Sequence, residues 1–252
     1  MPNYNPYRKI YHYCSLKTAI EYILPKQQLL LNDAGNSNDP RENKSFNFAY
    51  WGNPPLDLDN WKLNAEISRE IRAGVKQTCF STDDNRIEGY GYSRLWALYG
   101  DNHKGICLEI DESEFLNENA DILRKGFYKK IEYDDLQENL YCLNVDYGRL
   151  KTVGIPNYVA KEFRVENIDY FFFRKNNEWG SENEKRLIFL SEKSSLEFCT
   201  IKKSLSRIIL GVDFIDYYIP SIQKITDVEI KKVSFWIGRS GLKDIDKNYQ
   251  LQ

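Results

Sequence analysis

Apolar residues alternate with polar ones in some stretches of the chain and recur every three or four positions in others, so strands and helices are interspersed. Ile10-Tyr11-His12-Tyr13 alternates as a short strand. Ser15 then caps a helix carrying Leu16, Ile20, Ile23 and Leu24, which ends at or just after Pro25. Leu29 to Leu31 is a brief apolar run that breaks into a polar, turn-rich loop over 32–40. Leu63, Ile67, Ile71 and Val75 recur at helical spacing, Thr78-Cys79-Phe80-Ser81 reads as a buried strand, and 93–100 as a helix. Further on, 105–110, 127–133, 186–190, 196–201 and 207–212 read as strands, with helices near 113–123, 136–150 and 157–173. Val228 and Ile230 fall out of phase with Val233, Phe235 and Ile237, which predicts a β-bulge at Lys231-Lys232.

Strands scattered among helices, without regular βαβ spacing, predict an α+β fold with a mixed or antiparallel sheet flanked by helices. No repeat, low-complexity stretch or linker divides the 252 residues, so one domain over 1–252 is the simplest organisation. A chain this long buries roughly three quarters of its unfolded surface and folds without help from metals.

Charge narrows the function. Lys and Arg number 35 against 37 Asp and Glu, a net charge of -2, so no global field draws the chain onto DNA or an anionic membrane. Lys202, Lys203 and Arg207 remain a local basic patch or a solvated strand edge. The absence of a long apolar run or leader-like h-region predicts a cytoplasmic protein with no membrane segment. Five cysteines, odd in number and without a C-x-x-C pair, argue against a disulfide framework or a zinc site, and most read as buried small hydrophobes.

The chain lacks G-x-S-x-G, H-E-x-x-H and a phosphate loop, and Gly89-Tyr90-Gly91 reads as a turn. Only His12 and His103 are available for histidine chemistry. The suggestive segment is Glu182-Asn183-Glu184-Lys185-Arg186. In an extended strand Glu182, Glu184 and Arg186 share one face, beside Trp179. The default reading is structural, a charged edge or a Glu–Arg pair holding a strand end, and the functional one is a pair of catalytic carboxylates. A core role is likewise the default for His12, and packing for Trp96 and Tyr99. His103, in a polar turn, reads equally as a surface residue or a ligand contact.

Five segments in order resemble the bacterial domain-of-unknown-function family 2971: Ile10 to Leu16, Asn38-Asp39-Pro40-Arg41-Glu42, Cys79-Phe80-Ser81, Leu95 to Tyr99 with His103-Lys104-Gly105, and Trp179 through Arg186. More distantly, Tyr11-His12-Tyr13 on a first strand, a central Phe80-Ser81-Thr82 and a late Glu-x-Glu are similar to ADP-ribosyltransferases of the toxin and nucleic-acid-modifying kinds. That resemblance implies a split sheet that binds NAD as substrate. It makes Glu184 catalytic, with Glu182 orienting the acceptor nucleophile. His12 would donate to the ribose, Ser81 would support the nicotinamide pocket, Tyr13 or Tyr99 would stack on a ring, and Arg186 would keep the carboxylates ionised or contact the pyrophosphate. No metal is implied. The acceptor would be a macromolecule, nucleic acid or protein, and the setting a toxin or phage-defence effector restrained by an antitoxin or regulatory partner. Two alternatives stand beside it: a metal-dependent nuclease or hydrolase built on Asp39, Glu42, Glu182 and Glu184, and a non-enzymatic nucleotide- or protein-binding module.

Overall fold

Extended backbone with one apolar face must pair and bury that face, and the computed structural model joins ten strands in one sheet. It describes residues 8–36, 45–135, 142–191, 196–237 and 239–245. In chain order the strands are β1 (Lys9–Cys14), β2 (Gln28–Asp33), β3 (Phe48–Trp51), β4 (Val75–Thr82), β5 (Ile106–Asp111), β6 (Gly126–Lys130) and β7 (Glu132–Asp134). There follow β8 (Leu143–Asp146), β9 (Arg174–Asn176), β10 (Glu184–Leu190), β11 (Glu197–Thr200), β12 (Leu205–Leu210), β13 (Glu229–Trp236) and β14 (Arg239–Asp244). The sheet runs β11-β2-β4-β1-β5-β12-β13-β14, with β10 and then β6 added from β4. Its pairings are antiparallel except β12 with β13. The short pairs β3–β8 and β7–β9 are parallel and stand apart from it. The architecture is therefore a mixed, mainly antiparallel sheet flanked by helices.

Local chemistry sets the connections. Ser15 Oγ accepts the amide of Thr18 at 3.1 Å and starts the helical stretch that runs to Lys26. This stretch widens into a π turn over Ala19–Ile23, just before Pro25, whose ring nitrogen has no proton for the helical ladder. Asp59 caps helix Asn60–Arg72, whose Ile67 and Ile71 are fully buried. That helix gives way to β4 through Gly74, at φ +69, where a Cβ would meet the Ser191 carbonyl oxygen at 2.3 Å. Val75 therefore opens the strand instead of closing the helix.

Alternation along the strands separates two faces. On one, Ile10, Phe80, Leu108, Leu187 and Ile208 belong to a single core, each fully buried side chain worth roughly 1.5–3 kcal/mol. The other face carries two cores. One gathers Phe163, Phe171, Phe172 and Ile188, and the other Tyr11, Trp96, Cys107 and Ile209. Between them, Gln77, Cys79 and Ser81 on β4 lie opposite Ile188, Arg186 and Glu184 on β10. A polar stripe thus runs between the two apolar cores of that face.

Two expected elements differ. Of the helix expected over 136–150, 136–141 lie outside the described residues, and Leu143–Asp146 is β8, with Val145 buried against the aromatic core. The helix starts only at Tyr147, because Asp146 caps it by accepting the amide of Arg149 at 2.9 Å. The bulge expected at Lys231-Lys232 is absent, since β13 pairs in unbroken register with β12 and β14. Lys232, opposite buried Leu210, is accommodated in that register because its amine reaches the Phe214 carbonyl and Asp216. The irregularity lies instead in β12, between Leu205 and Arg207. No described helix is long and apolar enough to cross a membrane.

Candidate active site

The site lies where the sheet divides. β10 pairs with one edge of β4 from Val75 to Ser81. On the other edge β1 pairs only with Ser81 and Thr82, and β2 only with Gln77 and Lys76. Between these short contacts β1 and β2 diverge, and the edge of β4 from Thr78 to Phe80 faces a split. A cavity of about 280 Å³ opens there. It is lined by all seven residues singled out from the sequence: His12, Tyr13, Ser81, Tyr99, Glu182, Glu184 and Arg186.

Its floor is a closed set of charges. Glu184 and Arg186 share a face of β10, and Arg186 Nε donates to Glu184 Oε1 at 2.8 Å while Nη1 donates to the Phe172 carbonyl at 3.0 Å. Lys175, on β9, lies 3.3 Å from Glu184 and 2.7 Å from Glu182. Tyr99 donates to the other oxygen of Glu182 at 2.7 Å. The Lys175 ammonium also stands over the Trp179 ring, 4.6 Å from its centre. Two buried carboxylates thus face two buried cations, the condition under which interior charges are tolerated. Burial alone would raise the Glu184 pKa, but Arg186 and Lys175, with hydrogen bonds from Arg186 and Cys79, outweigh it and hold the group at about 2.

The shared face of Glu182 and Glu184 was expected from one extended strand, and the geometry differs. Glu182 ends a 3-10 turn (Asn177–Glu182), and Asn183 is left-handed at φ +45. Asn183 holds that conformation because its side-chain amide donates to the carbonyls of Thr82 and Asp83. Both carboxylates still reach Lys175, through a kink and not through strand periodicity. Arg186, 3% exposed and engaged with Glu184 and Phe172, keeps the carboxylate ionised. Arg186 also lines the cavity, where the alternative expectation has it contact a pyrophosphate.

His12 enters from the opposite face, packed edge-on against Phe80 with ring centres 6.0 Å apart. Its Nδ1 lies 3.0 Å from the Cys79 carbonyl oxygen, which only accepts, so Nδ1 carries the proton. Burial lowers the His12 pKa despite that hydrogen bond and favours the neutral ring. Nε2, with no partner among the described residues, is then an acceptor and not the donor expected. The hydroxyls of Tyr13 and Ser81 both donate to the Gly89 carbonyl, at 2.6 and 3.0 Å. They tie down the turn that follows β4, and Tyr13 packs edge-on against Trp96.

Other candidates fall elsewhere. Asp39 and Glu42 lie outside the described residues. His103 sits in a left-handed turn against Phe235 and does not line the cavity. Arg207 is engaged by Glu109 and Glu229, which leaves Lys202 and Lys203 as exposed turn residues. Among the described residues no group of three or more His, Cys, Asp or Glu is placed to hold a metal ion. Between Glu182 and Glu184, where the hydrolase alternative would put its ion, stands the Lys175 ammonium. Sequence reasoning missed Lys175 and Gln77, both at the cavity wall. A lysine seven positions before Glu182 in a short aromatic-flanked segment was the available signal for the first. For Gln77, just before the strand read over Thr78-Cys79-Phe80-Ser81, there was only its polarity.

Residues 95–187 match the model of a family described as protein of unknown function (DUF2971). This supports the resemblance to that family over the stretch that holds Tyr99, Lys175, Glu182, Glu184 and Arg186. His12, Tyr13 and Ser81 precede the matched stretch. No curated protein and no solved structure matches the chain.

Proposed function

We propose that this chain is an NAD-dependent ADP-ribosyltransferase-like enzyme that transfers ADP-ribose to a macromolecular acceptor. Its main support is the convergence of three segments on one cavity at the split: His12 from the first strand, Ser81 from the central strand and Glu184 from a late one. A cavity of about 280 Å³ is at the small end for ligand sites, which suits the nicotinamide–ribose end and leaves the adenosine end outside.

In the reaction the bond from ribose C1′ to the pyridine nitrogen breaks, and its electron pair stays on that nitrogen, releasing neutral nicotinamide. Positive charge grows on the sugar as in glycoside hydrolysis, and an ionised carboxylate stabilises it. Glu184, held ionised by Arg186 and Lys175, supplies that charge. The neutral His12 accepts a ribose hydroxyl at Nε2. The acceptor's lone pair forms the new bond to C1′, and its proton passes to Glu182.

Incubation with NAD labelled in the adenylate, alone and with cell lysate, tests this. The expected result is nicotinamide release or labelled macromolecule, lost in Glu184→Gln. No release and no label, with Glu184→Gln indistinguishable from wild type, overturns it. The internally closed charge set favours one second reading, a nucleotide-binding module in which Lys175 and Arg186 leave no carboxylate free. It predicts saturable NAD binding without turnover.

A further inference from the structure

Gln77 is a polar group at the cavity wall that the charge network does not use. It sits on β4 with 7% of its surface exposed, on the face shared by Cys79, Ser81, Glu184 and Arg186. It lines the cavity, yet its Oε1 is buried without a hydrogen-bond partner, and its Nε2 has none among the described residues. A buried carbonyl oxygen without a partner has lost its hydration and gained nothing in return. Three neighbouring buried polar side chains are engaged, Ser81 by Gly89, Glu182 by Lys175 and Tyr99, and Glu184 by Arg186. Among the described residues that line the cavity, Gln77 Oε1 and His12 Nε2 are thus left without a protein hydrogen bond, and of the two only Gln77 carries an amide.

A carboxamide is both donor and acceptor, and its best complement is another carboxamide, which returns one hydrogen bond in each direction. Resting on the proposed use of NAD, we infer that Gln77 is the specificity-determining residue that reads the carboxamide of the nicotinamide ring. Ser81, opposite which Glu184 stands, lies four positions after Gln77, about 13 Å along the strand. A pyridine ring with the carboxamide toward Gln77 and the glycosidic bond toward Glu184 lies along that stripe, past Cys79. A ring bearing a carboxylate in place of the amide has no proton to give Oε1. A site built for a hydrogen bond rejects a ligand that lacks it far more strongly than an apolar pocket rejects a change of size.

Binding of free nicotinamide and free nicotinic acid to the full chain, read by ligand-observed NMR or calorimetry, tests Gln77 without any turnover. The wild type is expected to favour nicotinamide by at least about tenfold, the equivalent of roughly 1.4 kcal/mol. Gln77→Met, similar in length and apolar, is expected to reduce that preference to about threefold or less, while melting at the same temperature or higher because a liability has been removed. Gln77→Leu serves as a second apolar variant should Met not fold. A wild-type preference near unity, or one retained in both variants, overturns the assignment even if NAD is consumed. A preference lost in the variants, in a protein that never releases nicotinamide from NAD, upholds Gln77 as a carboxamide reader and overturns the transferase reading instead.

Discussion

Lys175 and Glu182 form an ion pair 2.7 Å long with only 5% and 6% of their side chains exposed, and the same ammonium serves Glu184 at 3.3 Å. One lysine therefore balances two carboxylates that come from either side of a kinked residue. Lys175→Met leaves them facing each other with Arg186 alone. Breaking such a buried set costs about 3–5 kcal/mol. Urea unfolding of Lys175→Met is expected to show that loss, and Lys175→Arg, which keeps the charge, a smaller one.

Acid is expected to destabilise the fold in two stages. The Glu184 pKa is held at about 2, below its ordinary value of 4.5, so its stabilisation is complete above pH 4.5 and vanishes as pH falls toward 2. The His12 pKa is lowered from 6.5, so the unfolded chain takes up its proton first and stability begins to fall below pH 6.5. Denaturant midpoints measured from pH 8 to pH 3 are expected to decline in both windows. His12→Asn, which keeps a donor for the Cys79 carbonyl, removes the upper decline only.

Tyr13 and Ser81 donate to the same carbonyl, that of Gly89, so either change alone leaves it one partner. Tyr13→Phe and Ser81→Ala are each expected to cost about 1 kcal/mol. The double variant leaves that carbonyl without either donor and is expected to cost more than the sum, with a coupling of about 0.5 kcal/mol or more in a double-mutant cycle.

Gly74→Ala is expected to be strongly destabilising, by at least about 1 kcal/mol, because it combines a left-handed backbone with a Cβ 2.3 Å from the Ser191 oxygen. Thermal melting checks it, and Gly35→Ala, where a Cβ meets nothing within 4 Å, is the near-neutral control.

Much of the layout was legible in local pattern. β1, β4, β5, β10 and β12 lie where alternating or continuous apolar runs predict strands, because such a run has no other way to bury its side chains. Ser15 and the periodic Ile67 and Ile71 mark helices for equally local reasons. Asp146 shows the limit: a cap that ends a strand and starts a helix in one step looks, in a polar stretch, like part of the helix. Lys232 shows another, since a long amphipathic side chain fills an inward position that a hydrophobic pattern counts as a slip.

The residue types available for chemistry were set by the sequence alone: two histidines, a Glu-x-Glu followed by an arginine, and aromatic neighbours for His12. What they do together was decided by tertiary structure. The split between β1 and β2 arises from contacts far apart along the chain, such as Asp33 with Lys76 and the bond from His12 to Cys79, and no local period encodes it. The left-handed turn at Asn183, the insertion of Lys175 between two carboxylates and the unpartnered amide of Gln77 likewise exist only once the sheet has closed. Burial turns those side chains from ordinary polar residues into a balanced charge set and an unpartnered amide oxygen, because only there does every unmatched charge or amide carry its full desolvation cost.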